Sequence, residues 1–204
     1  MLDGQMRKLI DPPLNKTGHW LASKKVTANG VTIAGFFVGM LAAVAIAFQF
    51  YVLGLVLLLL SRLADGLDGA VARVNGTSDL GGFLDITLDF FFYGAIPLAF
   101  AISNPEANAL AAAVLLTGFY ATGSSFLAFA IMAEKRKITT TAQGIKSLYY
   151  IGGLAEGTET IGVFVAFCLF PQWFAIIAYI FAAICFVTAA NRVVIGWVSL
   201  KNAD

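Results

Sequence analysis

Apolar runs of bilayer length recur along this chain, separated by short polar breaks. Read against the roughly 17–25 apolar residues that a membrane-crossing helix needs, they predict spans at about 30–48, 51–73, 80–102, 108–133, 148–169 and 173–199. Thr27-Ala28-Asn29 supplies an N-terminal cap for the first span, and Asn104-Pro105-Glu106 and Pro171 mark later turns. Residues 1–25 have a different pattern, in which Arg7, Lys8, Lys16, Lys24 and Lys25 interleave with Leu9, Ile10, Leu14, Trp20 and Leu21. After a break at Pro12-Pro13, Leu14, Thr17 or Gly18, and Leu21 fall at helical spacing, which predicts an amphipathic helix lying on an anionic lipid surface. The fold expected is an all-α integral membrane protein of six transmembrane helices with an N-terminal interfacial helix.

Composition agrees with that pattern. The 204 residues are 59% hydrophobic and only 12% charged, too little charge for a soluble domain of this size. No cleavable signal peptide is apparent, because the first thirty residues are polar and basic. No nucleic-acid partner is expected; the formal net charge of +1 says nothing about partners, but the distribution of the basic residues is informative. They gather in the N-terminal segment, at Arg73 after the second span, at Lys135, Arg136, Lys137 and Lys146 after the fourth, and at Lys201. The alternate turns have none. That bias puts both termini and the turn after the second span in the cytoplasm. Cys168 and Cys185 lie in apolar segments and read as small buried hydrophobes. Gly35-x3-Gly39 and Gly153-x3-Gly157 allow close helix approach, read as internal packing rather than dimerisation. With no repeat and no second domain visible, residues 1–204 form one unit.

The residues with chemistry lie between Ser61 and Phe90. This stretch holds Asp65, Asp68, Asp79, Asp85 and Asp89, five of the twelve acidic residues. A charged side chain at membrane depth costs about 2.5 kcal/mol or more, so the cluster needs a cationic partner. Asp65 and Asp68 share one helical face, as do Asp85 and Asp89. The pairs flank a polar break, Val74 to Asp79, so on antiparallel helices the four carboxylates meet at matching heights. Only Arg62 and Arg73 lie nearby in sequence to balance them, which makes bound divalent metal the first expectation. Glycines at 66, 69, 81 and 82 leave bare backbone where a ligand can come close.

Asp65-x2-Asp68-Gly69-x2-Ala72-Arg73, followed by Gly81-x3-Asp85-x3-Asp89, resembles the signature of the CDP-alcohol phosphatidyltransferase family. The gap between Arg73 and Gly81 is one residue shorter than is common there. At whole-chain level the likeness is to a small bacterial inner-membrane branch. The resemblance implies a Mg2+- or Mn2+-dependent enzyme that moves a phosphatidyl group from a CDP-linked lipid to an alcohol and releases CMP. It implies a homodimer, a two-metal site on Asp65, Asp68, Asp85 and Asp89, and Asp89 as general base. Asp65, Gly69, Ala72, Arg73 and Gly81 then serve the nucleotide and its diphosphate. CDP-diacylglycerol is the expected donor, and the cytoplasmic side of the bacterial inner membrane the expected location.

Acceptor candidates lie later in the chain. Lys146 and Arg192 suit an acceptor phosphate, whereas Glu156 and Glu159, three apart on the fifth span, suit hydroxyls or an amino-alcohol. Alternatively, one of the glutamates pairs with Arg192 and only holds helices together. Competing functions are a CDP-amino-alcohol phosphotransferase of the same family, an intramembrane prenyltransferase and a cation transporter. A prenyltransferase generally has two separated aspartate motifs, and a transporter needs a second gate or an inverted repeat.

Overall fold

The structure is a computed structural model that describes residues 3–136 and 153–201, with side chains from residue 10 onward. The described residues form seven α-helices and a one-turn 3-10 helix, with no strand among them. In chain order the helices are α1 (Asp3–Ser23), α2 (Ala28–Ala47), α3 (Tyr51–Asn75), α4 (Asp79–Ser103), α5 (Pro105–Lys135), α6 (Gly157–Leu169) and α7 (Phe174–Lys201); Pro171–Trp173 is the short turn. Residues 28–47, 79–103, 105–135 and 171–201 are long and apolar enough to cross a membrane. α3 has the length but carries the charges of the aspartate motif, and α6 is a shorter apolar helix of 13 residues.

Local chemistry explains the boundaries. Thr27 caps α2, its hydroxyl accepting from Gly30 N at 3.2 Å. Ser78 does the same for α4 through Gly81 N, and Asn104 for α5 through Ala107 N. Between α3 and α4 the chain turns through Gly76, whose φ of +96° lies where a side chain would be strained. Pro105 opens α5 at a position where its missing N–H costs nothing.

Two expectations are corrected. Pro12 and Pro13 lie inside α1 instead of breaking the chain before it; the ring's fixed φ is compatible with a helix, although each proline removes a backbone donor and crowds the carbonyl four residues back. The fifth span is not helical over its whole described part, because α6 begins only at Gly157. Upstream, Leu154 N and Ala155 N both donate to Thr188 Oγ1 on α7 at 3.1 Å, which ties the backbone across to α7.

α2 packs along both α3 and α4, α4 leads on to α5, and α5 packs chiefly on α7. α3 and α4 scarcely approach each other, although three residues join them. Gly35 and Gly39 are spent inside the chain: a Cβ at Gly35 would lie 2.8 Å from Ala64 Cβ, and one at Gly39 2.7 Å from the Phe92 ring. The deepest core is aromatic. Tyr51 stacks on Phe100 and Phe100 on Phe174, with ring centroids 5.7 and 4.8 Å apart, and Phe167 lies against both Phe100 and Phe174. That cluster sits by the turns at 48–50, 104 and 170–173, at the far end of α3 and α4 from the motif. Cys168 and Cys185 are buried free thiols.

α1 lies on α3. Leu14 is buried against Gly66, and Gly18 meets Ala70, where a Cβ would come within 2.9 Å of Ala70 backbone carbon. Rigid backbone cannot yield as a side-chain tip does. Gly18→Val is therefore expected to lift α1 off α3, lower stability in detergent by about 1–3 kcal/mol, and open α1 to limited proteolysis. An unchanged melting curve and cleavage pattern would refute the contact.

Candidate active site

The space between α3 and α4 is a cavity walled by α2. Thr32, Gly35 and Phe36 come from α2, Ser61, Arg62 and Asp65 from α3, and Asp85, Leu88 and Asp89 from α4. Asp65, Asp68 and Asp85 each offer an oxygen, and these atoms lie within 4.8 Å of one another. Asp68 is buried, Asp65 half-buried and Asp85 exposed, a gradient running from the packed side of α3 out to the opening.

Thr32 orients Asp68, and Arg62 reaches both Asp89 and Asp65. Thr32 Oγ1 donates to Asp68 Oδ2 at 2.6 Å. The same hydroxyl lies 3.0 Å from Ala28 O, and its single proton favours the shorter, charge-assisted bond. Asp89 stands apart from the group of three, its Oδ1 accepting from Arg62 Nη1 at 2.7 Å. Arg62 Nη1 also lies 3.6 Å from Asp65 Oδ1. Its guanidinium rests 4.0 Å from the centroid of the Phe92 ring, close enough for a cation–π contribution.

The remaining motif residues do not line this cavity but follow it along α3 and at the start of α4. Arg73 is exposed at the end of α3, and its Nε and Nη2 donate to Asn15 Oδ1 on α1 at 3.3 and 2.8 Å. Its planar fork therefore keeps donors for a phosphate. A Cβ at Gly69 would meet only Arg73 Nη1, at an ordinary 3.6 Å. Nothing in the described protein crowds that face, so packing does not explain the glycine. Gly81 is different, because a Cβ there would come within 3.0 Å of Asn29 Oδ1 on α2. Ala72 is half-buried beside Arg73, and Asp79 is at the start of α4, outside the carboxylate group.

The acceptor candidates are partly brought together. Lys146 lies outside the described residues. Arg192 on α7 is buried, donates from Nη1 to Thr122 O at 3.0 Å and faces the Phe126 ring at 5.4 Å. Glu156 is buried at the N-cap of α6, its Oε1 accepting from Gly153 N at 3.0 Å. It shares a cleft between α4, α5, α6 and α7 with Thr160, Arg192 and Tyr93, whereas Glu159, in the first turn of α6, does not line that cleft. Expecting Glu156 and Glu159 three residues apart on one continuous helix is thus corrected, because the helix starts between them.

Sequence reasoning missed Thr32 and Asn15, and it gave Arg62 only the role of a balancing charge. Thr32 is a hydroxyl in an otherwise apolar span, a signal in itself. Arg62, three residues before Asp65, shares its helical face and was countable as more than a charge. Asn15 carried no signal, since its role depends on α1 crossing α3.

A family model described as CDP-alcohol phosphatidyltransferase matches residues 25–198. The chain is 49% identical over 202 residues to the inner membrane protein YnjF of Escherichia coli, covering 99% of this chain and 98% of that one. It is 28% identical over 202 residues to an archaetidylinositol phosphate synthase of Methanothermobacter thermautotrophicus, covering 96% and 92%. Its fold is similar to the phosphatidylinositol phosphate synthase of Mycobacterium tuberculosis solved with CDP-DAG bound, at a TM-score of 0.72 and 19% identity over 90% and 93% of the two chains. These likenesses and the apolar helices identify a multi-pass inner membrane protein. With the family match spanning nearly its whole length, the chain belongs to the CDP-alcohol phosphatidyltransferase family.

Proposed function

We propose that this protein transfers a phosphatidyl group from CDP-diacylglycerol to the hydroxyl of a small polar acceptor, releasing CMP, on the cytoplasmic side of the inner membrane. What carries this reading is the meeting of Asp65, Asp68 and Asp85 within 4.8 Å, beside a cavity that Asp65, Asp85 and Asp89 line. The donor set fits a small hard cation: all the ligand atoms are carboxylate oxygens, the type magnesium and manganese select. Asp65, Asp68 and Asp85 would hold the first of two ions, and Asp89 would contribute to the second. When bound, such ions stabilise the charge that develops on the diphosphate as it breaks.

The protein's own groups do the rest. Thr32 occupies one oxygen of Asp68 and so fixes the carboxylate's orientation. Gly69 admits the nucleotide against bare backbone, and Arg73, steadied by Asn15, meets a phosphate. Asp89 takes the proton from the acceptor hydroxyl, whose oxygen then attacks the lipid-linked phosphorus. The bond to CMP breaks, and CMP leaves with the electron pair.

The one-sided basic residues support the cytoplasmic orientation, now with Lys135 and Arg136 at the end of α5 and Lys201 at the end of α7. The family resemblance supports a homodimer. For the acceptor, buried Arg192 and relatives named archaetidylinositol phosphate synthase favour a phosphorylated alcohol. Lys146 is a second candidate for that phosphate. Glu156 is a candidate for the acceptor hydroxyls, while Glu159 is further from the cleft.

Purified protein given CDP-diacylglycerol and a panel of alcohols should release CMP only with a divalent metal and a matching acceptor; no release with any acceptor would defeat the proposal. Asp68→Asn and Asp85→Asn should abolish turnover, and normal rates would remove these carboxylates from the chemistry. Asp89→Asn should lower kcat by about 10²–10⁴-fold, the range for a general base, with a smaller change in donor KM. Equal losses in both would count against the base assignment. Arg192→Met should raise the acceptor KM by roughly 30-fold or more, as for a lost buried charge pair, and leave the donor KM unchanged. Matching rises in both would point to a structural role.

A further inference from the structure

Arg62 is held more firmly than charge balance requires. Its side chain is 13% exposed. The guanidinium is pressed against Phe92, and Nη2 donates to Ser61 Oγ at 3.3 Å; Phe92 and Ser61 are both fully buried. Held by Phe92 and Ser61, it presents Nη1 to Asp89 at 2.7 Å and to Asp65 at 3.6 Å. Asp65, Asp68 and Asp85 converge on one another, while Asp89 is drawn to the arginine. An arginine free to wander would settle among all the carboxylates. This one favours a particular member.

We propose that Arg62 is a positioning residue that divides the carboxylates into two sets. Its close contact at 2.7 Å engages Asp89, while Asp65, at 3.6 Å, is left to form the site for a first divalent ion with Asp68 and Asp85. Arg62 must release Asp89 before that carboxylate can ligate a second ion. The proposal deepens the metal-site reading above and rests on it.

Charge gives the division a purpose. With Arg62 in place, one divalent ion leaves the cavity slightly negative, and a second tips it positive. The positive state is favoured when an anionic diphosphate is present to share it. Arg62 thereby couples completion of the metal site to arrival of the donor, and keeps Asp89 oriented until then. Phe92 and Ser61 give the displaced guanidinium a fixed place to return to after product leaves.

The test is a Mn2+ titration of the full chain in lipid nanodiscs, without nucleotide, followed by calorimetry and electron paramagnetic resonance. Two ions a few ångströms apart give a spin-coupled signal that a single ion does not. In the wild-type protein the second Mn2+ should bind much more weakly than the first, and the coupled signal should grow when a CDP-lipid is added. Arg62→Met should tighten the second binding constant by about tenfold or more relative to the first and produce the coupled signal without nucleotide. Arg62→Lys, which keeps the charge, should restore the separation. If Arg62→Met shifts both constants by the same factor, or neither, the proposal is overturned. Asp89→Asn covers the case in which Arg62→Met does not fold. It should lose the second ion and keep the first, and loss of both would also overturn the proposal. No Mn2+ uptake by wild-type protein would overturn the metal reading itself, a result distinct from any failure of Arg62 alone.

Discussion

Like charges in an apolar bundle must be either separated or compensated, and the motif end of this protein is built around that constraint. Asp65 and Asp68 come from α3, Asp85 and Asp89 from α4. Asp65, Asp68 and Asp85 nonetheless bring oxygens within 4.8 Å of one another, a crowding that needs positive charge to offset it. The α3 and α4 backbones stay apart while α2 packs on both. The gap that results is the cavity. Arg62 supplies positive charge at Asp89, and the Thr32 hydroxyl satisfies Asp68. Opening, compensation and hydrogen bonding all answer one electrostatic demand.

Small residues make that arrangement possible. Gly35 and Gly39 bring α2 against Ala64, Ser61 and the Phe92 ring, at separations a side chain would forbid. Phe92 in turn carries the Arg62 guanidinium, so a close approach at α2 fixes the floor beneath the ion pair. At the other end of the same helices, stacked rings around Phe100, Phe167 and Phe174 fill the interior. One end of α3 and α4 is packed and anchored; the other is open, polar and bordered by α1. A bundle divided in this way can hold a charged site rigidly without burying it completely.

The cleft between α4, α5, α6 and α7 follows different rules. Arg192 is buried and tied to Thr122 O on α5, and Glu156 caps α6 where Thr188 of α7 receives two backbone donors just upstream. These groups meet because α5, α6 and α7 converge, not because of any local spacing. Tyr93 links the two regions, lining this second cleft with a ring whose centroid is 6.0 Å from the Arg62 guanidinium carbon.

By itself the sequence determined the helical membrane class, the start of most helices and the carboxylates that belong together. Those properties depend on nearest neighbours along the chain: apolar run length, a cap such as Thr27 or Ser78, and aspartates three or four apart on one face. It also carried the family signature, since that is a matter of residue type and spacing. Tertiary structure decided which partner each carboxylate takes. Asp89 goes to Arg62 from 27 positions away, Asp68 to Thr32 from 36, and Arg73 to Asn15 from 58. It also decided that α1 continues through Pro12-Pro13 and that α6 begins only at Gly157. Short-range patterns set by helix geometry can be read along a line, but electrostatic partnership depends on distance in three dimensions, and that distance exists only once α1 and α2 have packed against α3.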